Sequence, residues 1–134
     1  MRLRQMFETA LEITEEPISR NDMPGTRFKV AGGGYDGGSH IDVVESKWSP
    51  TKYSIIEFLT DPKSRGTGIG GKLLDAAINK YRNEISAACS SKESLTMVYN
   101  RGFRGLGDNK EKSLAELEVV RQEYSSVTLT SENI

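Results

Sequence analysis

The spacing of apolar residues predicts that the chain opens with a helix and continues with a loop. A helix is predicted over residues 2–13, because five apolar residues recur there at the i, i+3, i+4 spacing of one helix face. These residues are Leu3, Met6, Phe7, Ala10 and Leu11. Residues 14–26 contain Pro17, Pro24 and Gly25 among charged side chains, and this composition predicts a loop.

Short runs of β-branched and aromatic residues then predict six strands. The run Tyr53–Thr60 is the strongest of them, and Asp61-Pro62 ends it. Glycines on both sides of Tyr35-Asp36 predict a hairpin-like turn over 32–38. The six predicted strands are Arg27–Ala31, Ile41–Glu45, Tyr53–Thr60, Ile85–Cys89, Phe103–Leu106 and Ser126–Thr130.

Three further helices are predicted between the later strands. Leu73, Leu74, Ala77, Ile78 and Tyr81 mark one helix face. A shorter helix stops at Gly102, and a last helical pattern covers 110–124. A helix between two strands is typical of a β-α-β step, so the chain is predicted to be a single α/β or α+β domain over 1–134.

Charge and composition exclude several classes of protein. Lys and Arg number 18 against 19 Asp and Glu, so the net charge of −1 makes nucleic-acid binding unlikely. No apolar run reaches the roughly 18 residues of a membrane helix, and no signal peptide is visible. With one cysteine, Cys89, and one histidine, His40, neither an internal disulfide nor a zinc cage is expected. We therefore expect a cytoplasmic protein without a metal site.

The chemistry of the chain is concentrated in a glycine-rich segment, residues 65–71, between a strong strand and a helix. Backbone N–H groups at such a helix start attract anions, and glycines let a phosphate approach closely. A tight turn without a ligand is the alternative. The segment also matches the dinucleotide fingerprint and nearly a Walker A loop. However, no acidic ribose ligand ends the next strand, and Leu73 stands where the Walker motif needs Ser or Thr.

A third interpretation accounts for more of the chain. Arg65-x-x-Gly68-x-Gly70 resembles the pyrophosphate loop of the GNAT superfamily of N-acetyltransferases. Leu59-Thr60-Asp61-Pro62 before this loop and Leu73-Leu74 after it are similar to the family's flanking residues. Further along, Gly102-Phe103 is similar to the pair that ends a helix in the family, so the resemblance covers roughly residues 53–106.

This resemblance implies a fold, a cosubstrate and a set of binding residues. The implied fold is a mixed, mostly antiparallel twisted sheet with a central parallel β-α-β step and flanking helices. The implied cosubstrate is acetyl-CoA, whose pantetheine arm would pair with the backbone at the end of one strand. The residues implied to bind it are Phe58, Leu59, Thr60, Arg65, Gly66, Thr67, Gly68, Ile69, Gly70, Gly71 and Ser91, the last in the place of a family asparagine.

The resemblance also implies catalytic residues and an activity. Glu57 is the expected base and Tyr99 the expected acid, with His40, Asp42 and Glu45 as further candidates for the base. The sequence departs from the family pattern in three places. Val98 occupies the place of the family's usual tyrosine, and no first strand is visible because a helix is predicted there. A helical pattern also interrupts the last two strands.

Two functions are compatible with these residues. The first is an acetyl-CoA-dependent N-acyltransferase that acts on an amine by direct attack in a ternary complex. The alternative is a non-catalytic module of the same fold, such as a phage virion component or an effector against host defence. The acceptor, a small molecule or a protein, is not identified by the sequence, and a homo-oligomer or a protein partner is compatible with it.

Overall fold

A computed structural model describes residues 12–31, 38–61, 68–132 and 134. Within these residues the chain forms seven strands, three α-helices and a 3-10 turn at Gly107–Asn109. The strands are β1 (Glu12–Arg20), β2 (Met23–Ala31), β3 (His40–Glu45), β4 (Tyr53–Leu59), β5 (Ile85–Cys89), β6 (Arg104–Gly105) and β7 (Val127–Thr130). The helices are α1 (Ile69–Tyr81), α2 (Lys92–Asn100) and α3 (Leu114–Tyr124).

The strands form one mixed sheet in the order β1-β2-β3-β4-β5-β7-β6. The pairs β1–β2, β2–β3, β5–β7 and β6–β7 are antiparallel, whereas β4 and β5 are parallel and are joined through α1. This arrangement confirms the predicted fold class, a mostly antiparallel sheet with one central parallel β-α-β step. A parallel pair needs such a crossover, because a tight turn can join only antiparallel strands.

The first strand corrects two predictions. Residues 14–26 are not a loop but most of the β1–β2 hairpin, and the strand that was expected to be missing is β1. The predicted helix cannot reach residue 13, because Glu12 and Ile13 already belong to β1; the rest of it, and the turn predicted over 32–37, lie outside the described residues. Proline is tolerated here because no strand follows β1 outward in the described sheet.

The hairpin turn explains how this segment forms strands. Asn21 and Asp22 both have positive φ, 53° and 65°, and they connect Arg20 directly to its partner Met23. Positive φ at both central residues gives the turn the twist that two antiparallel strands need, and asparagine and aspartate tolerate it. The segment was misinterpreted because its two prolines and its charges outweighed this turn signal.

The chain divides into two compact units. Unit 1 comprises Met1–Val44 with Glu57–Lys80, and unit 2 comprises Glu45–Ile56 with Tyr81–Ile134. In unit 1 one face of the hairpin meets α1, where Lys80 Nζ donates to Glu15 Oε1 (2.6 Å) and lies 5.9 Å from the centroid of the Phe28 ring. Among the described residues of this unit, the fully buried apolar side chains are Phe28, Ile41, Val43, Val44, Leu73, Leu74 and Ala77.

Unit 2 has a core of its own around β5 and β7. Ile85, Leu95, Phe103, Leu117 and Leu129 are fully buried there. The two strands β6 and β7 pair with each other although α3 separates them in sequence, so the helical pattern does not break up the sheet. The serine caps Ser91 and Ser113 start α2 and α3. Each forms a capping box with the third residue of its helix.

Candidate functional site

The strand register of unit 1 gathers charged side chains on one face of β2 and β3. Arg27 lies opposite Asp42, and Lys29 lies opposite His40. Because strand residues two apart point to the same side, these four side chains share one face of the sheet that β2 and β3 form. Glu57, near the end of β4, joins this group through hydrogen bonds.

Asp42 is the buried centre of the cluster. Its side chain is fully buried, and Arg27 donates from Nε to Oδ1 (2.8 Å) and from Nη2 to Oδ2 (2.9 Å). Arg20 adds a third bond, from Nη1 to Oδ2 (3.0 Å). Burial raises the pKa of this carboxyl. The hydrogen bonds and charge of Arg27, together with the charges of His40 and Arg20, lower the pKa by more than burial raises it, so the pKa lies below its ordinary value.

Glu57 is the half-exposed carboxylate of the cluster. Its Oε1 lies 2.7 Å from Nε2 of His40, and its Oε2 accepts a bond from Nη2 of Arg20 (3.3 Å). The bond with His40 is the largest influence on its pKa, and this bond and that of Arg20 hold the pKa below the ordinary value despite some burial. Glu57 is therefore an ionised carboxylate at neutral pH, with 37% of its side chain exposed.

His40 has an acceptor at each ring nitrogen. Nε2 faces Glu57, and Nδ1 lies 3.1 Å from the carbonyl oxygen of Gly38. A carbonyl and a carboxylate can only accept, so both bonds form together when both nitrogens carry a hydrogen. A neutral ring donates to one of these two acceptors at a time, and the contact with Glu57 is an ion pair when the ring is protonated.

The same residues also offer metal ligands, but their arrangement is better explained as an ion-pair network. Ligand atoms of His40, Asp42 and Glu57 lie within 4.8 Å of one another. Arg20 and Arg27 already donate to both oxygens of Asp42, and Arg20 also donates to Glu57. Two fixed guanidinium charges at these oxygens oppose a divalent cation. The donor set therefore does not fit a metal.

The described part of the glycine-rich segment lies where α1 begins. Gly68 has a φ of +83° with open space where a Cβ would lie, and its carbonyl accepts the N–H of Lys72 (3.0 Å). Ile69 starts the helix and, like Gly70, is buried. The first turn contains no acidic residue that would repel an anion. The candidates Arg65, Gly66 and Thr67 lie outside the described residues.

The neighbouring strand ends differ in how they pair. β4 pairs with β5 only from Tyr53 to Ile55, opposite Ile85 to Ala87. On its other side β5 pairs with β7 from Ser86 to Cys89, so its last two residues, Ala88 and Cys89, pair with β7 but not with β4. The implied binding residues Phe58, Leu59 and Thr60 lie in unit 1, at the end of β4. Phe58 is half-buried, Leu59 is exposed, and Thr60 is the first residue after the strand. Here Asp61 donates its N–H to Oγ of Ser39 (2.8 Å).

The remaining candidates, Ser91 and Tyr99, belong to α2 in unit 2. Ser91 caps the helix: its Oγ accepts the N–H of Ser94 (3.1 Å). Val98, at the position of the family tyrosine, is buried, whereas Tyr99 is half-exposed. The guanidinium of Arg104 lies 3.8 Å from the Tyr99 ring centroid, a cation–π contact. The one-residue shift thus puts the tyrosine on a different helix face from Val98.

The glycine-opened α1 between two parallel strands is the arrangement that the sequence resemblance implied. A sequence model of the acetyltransferase (GNAT) family matches residues 11–103, more than half of the chain. The chain belongs to the GNAT acetyltransferase family. Comparison with curated proteins gave no significant match, and comparison with solved structures gave none either.

Membership in the GNAT family makes acyl transfer the general activity of this fold and acyl-CoA its general cosubstrate. Among the described residues of this GNAT domain, no helix is long and apolar enough to cross a membrane. Sequence reasoning named Glu57, His40 and Asp42 as candidate bases but did not include Arg20 and Arg27, which donate hydrogen bonds to the two carboxylates. The Asn21-Asp22 turn was the signal that could have revealed Arg20, since it implies a hairpin with Arg20 beside it.

Proposed function

We propose that the protein is an acetyl-CoA-dependent N-acyltransferase that transfers an acetyl group to an amine by direct attack in a ternary complex. The observation that carries this proposal is the start of α1. It follows β4 through a glycine-rich segment and has no acidic residue in its first turn. In a GNAT domain this is where the pyrophosphate of an acyl-CoA has the backbone N–H groups of a helix start available.

The binding residues follow from the same segment. Gly68 leaves open space, so an anion can approach the N–H groups of Ile69, Gly70 and Gly71, which a helix leaves without an internal acceptor. In this proposal Arg65, Gly66 and Thr67 extend the same anion site. Phe58, Leu59 and Thr60 offer backbone groups to the pantetheine arm, and Ser91 remains a candidate for a contact with the cosubstrate.

In the reaction, the nitrogen of a neutral amine attacks the carbonyl carbon of the thioester and forms the C–N bond. Collapse of the tetrahedral intermediate breaks the C–S bond and releases the CoA thiolate. The proton lost by the nitrogen passes to Glu57, which is ionised and half-exposed, directly or through a water. Tyr99 is the proposed donor of the proton that converts the thiolate to the thiol.

The direct test is amine-dependent release of CoA from acetyl-CoA by the purified protein, with a panel of small amines and lysine peptides. Glu57→Gln keeps the size of the side chain but cannot accept the proton. We expect its rate to fall by about a hundredfold or more. Glu16→Gln is the matched control, because Glu16 lies in the same unit and pairs with Lys29 (3.2 Å) at the surface.

A specific observation supports the second candidate, a non-catalytic GNAT module. The usual position of the catalytic tyrosine holds the buried Val98, and Tyr99 packs against Arg104 instead. If acetyl-CoA binds but no amine in the panel releases CoA, this second function is favoured and the transfer proposal is contradicted. An unchanged rate in Glu57→Gln would contradict the role of Glu57 alone.

A further inference from the structure

We infer that Arg20 is a positioning residue that holds the Glu57 carboxylate in place from an anchor at the buried Asp42. The inference rests on the proposed function for its meaning in catalysis, because it concerns the carboxylate that takes the proton. It adds a residue that the family motifs do not contain, at the end of β1, far in sequence from the glycine-rich segment.

The first support is the geometry of the guanidinium. One terminal nitrogen of Arg20 donates to Asp42 Oδ2 (3.0 Å), and the other donates to Glu57 Oε2 (3.3 Å). A guanidinium is planar and presents its donors in a fixed fork, so fixing one carboxylate orients the bond to the second. Arg20 therefore connects a fully buried carboxylate to a carboxylate that is 37% exposed.

The second support is the rigidity of the anchor. Asp42 is held independently by two bonds from Arg27, which lies directly opposite in the strand register. Arg20 immediately precedes the tight turn at Asn21 and Asp22, and this turn joins Arg20 directly to its strand partner Met23. The positions of Arg20 and Asp42 are thus fixed by strand pairing. Of the two carboxylates that Arg20 contacts, Glu57 is the exposed one.

The third support is the division of the two Glu57 oxygens. Oε2 is bonded to Arg20, whereas Oε1 faces Nε2 of His40 at 2.7 Å. With both oxygens engaged, the carboxylate cannot rotate freely, and its orientation toward solvent is defined. Among the described residues of unit 1, the charged or titratable groups on this face are Glu12, Glu16, Arg20, Arg27, Lys29, His40, Asp42 and Glu57.

His40 provides a readout that does not need the enzyme to turn over. It is the one histidine of the chain, so its ring protons give a single set of NMR signals. Because its Nε2 touches Glu57, protonation of Glu57 in the acid range shifts those signals. The midpoint of that acid inflection is measured in the full chain, in wild type and in Arg20→Gln.

We expect Arg20→Gln to move the acid inflection upward by about one pH unit, because an adjacent positive charge that favours the ionised carboxylate is lost. Lys29→Gln is the matched control. It removes a charge opposite His40, from a side chain whose ion pair is with Glu16, and we expect no shift beyond about 0.3 pH unit. If the midpoints of Arg20→Gln and wild type coincide, the inference is overturned.

A second variant covers the case in which Arg20→Gln does not fold. Arg20→Lys keeps the charge without the fork, so its inflection is expected between those of wild type and the glutamine variant, or above wild type if the latter is unfolded. A midpoint equal to that of wild type in Arg20→Lys, with Arg20→Gln unfolded, would also overturn the inference.

The two proposals fail in different ways. Where acyl transfer is measurable, the acid limb of kcat/KM should move upward in Arg20→Gln in parallel with the NMR inflection, and it should stay in place in Lys29→Gln. If no amine is acylated by any variant, the proposed function fails while the NMR shift still reports on Arg20. If transfer occurs but neither the limb nor the inflection moves, the positioning role fails alone.

Discussion

Arg27 and Asp42 lie directly opposite each other on β2 and β3, and both oxygens of the fully buried carboxylate accept bonds from the one guanidinium, at 2.8 and 2.9 Å. The pair places a charge where an apolar side chain would ordinarily lie. Such a buried charge is tolerated because its bonds replace the lost water. The Arg27–Asp42 pair lies on the same face of unit 1 as the contact between His40 and Glu57.

The first prediction concerns the stability that Asp42 contributes. Asp42→Ala removes a carboxylate that accepts three hydrogen bonds, one from Arg20 and two from Arg27. We expect a loss of about 2–3 kcal/mol in the free energy of unfolding, below the range for a fully buried pair because both arginines remain partly exposed. Denaturant unfolding of wild type and variant gives this difference.

Glu16→Ala provides the control for that measurement. Glu16 is also paired, with Lys29, but 43% of its side chain is exposed, so its loss should change stability by at most about 0.5 kcal/mol. Equal effects of the two substitutions would contradict the anchoring role of Asp42.

The second prediction is a loss of stability in acid. The pKa values of Asp42 and Glu57 are lowered in the folded protein from 3.8 and 4.5. The unfolded chain therefore binds more protons in this range, and stability falls as pH decreases. The contribution is fully present above the unfolded pKa values and is lost as pH falls through the folded ones.

This dependence is measured by denaturant unfolding between about pH 7 and pH 3. Glu57→Gln should reduce the slope of stability against pH in the acid range, whereas Glu45→Gln, at an exposed residue of β3, should leave it unchanged. A slope in Glu57→Gln as steep as in wild type would show that Glu57 is not the titrating group.

The central part of the fold could be predicted from the sequence because its signals are local. Tyr53–Thr60 is a continuous β-branched and aromatic run and forms β4 up to Leu59. The Leu73 and Leu74 face forms the buried side of α1. The glycines between β4 and α1 indicated the segment at which α1 begins. Each of these signals depends on neighbouring residues, which the sequence displays directly.

The ion-pair network could not be predicted in the same way. Arg20 and Glu57 are 37 positions apart and meet through strand pairing, which depends on the register of several strands. The register in turn depended on a hairpin whose Pro17 and charges resemble a loop. Glu57 was singled out as a polar residue within an apolar run, but its partners required the structure.

The third prediction concerns the close approach of β2 and β3 beside this network. A Cβ added to Gly25 would lie 2.1 Å from the carbonyl oxygen of Val43 and 2.8 Å from Cα of Val44. Both are backbone atoms that cannot move aside cheaply, so Gly25→Ala should cost about 2–3 kcal/mol of stability. Gly38→Ala is the control, because open space surrounds Gly38 and no loss is expected. A melting temperature of Gly25→Ala equal to that of the control would refute the steric argument.

The fourth prediction concerns Cys89 at the end of β5. The thiol is 1% exposed, and burial raises its pKa to about 11. The thiolate is the reactive form, so iodoacetamide should modify the folded protein much more slowly than the protein in denaturant. Mass spectrometry measures both rates, with denatured protein as the control for a reactive thiol. Rapid modification of the folded chain would contradict the burial of this residue.

The most direct test of the central claim is calorimetric titration of the protein with acetyl-CoA. We predict saturable binding to wild type and binding weaker by about tenfold or more in Gly68→Glu, which would place a carboxylate at the proposed pyrophosphate site. Gly107→Glu is the matched control. Gly107 also has positive φ, +53°, and open space around it, but it belongs to the 3-10 turn Gly107–Asn109 and not to the glycine-rich segment, so its variant should bind as wild type does. Equal affinity of wild type and Gly68→Glu, or no binding of acetyl-CoA to wild type, would contradict the account.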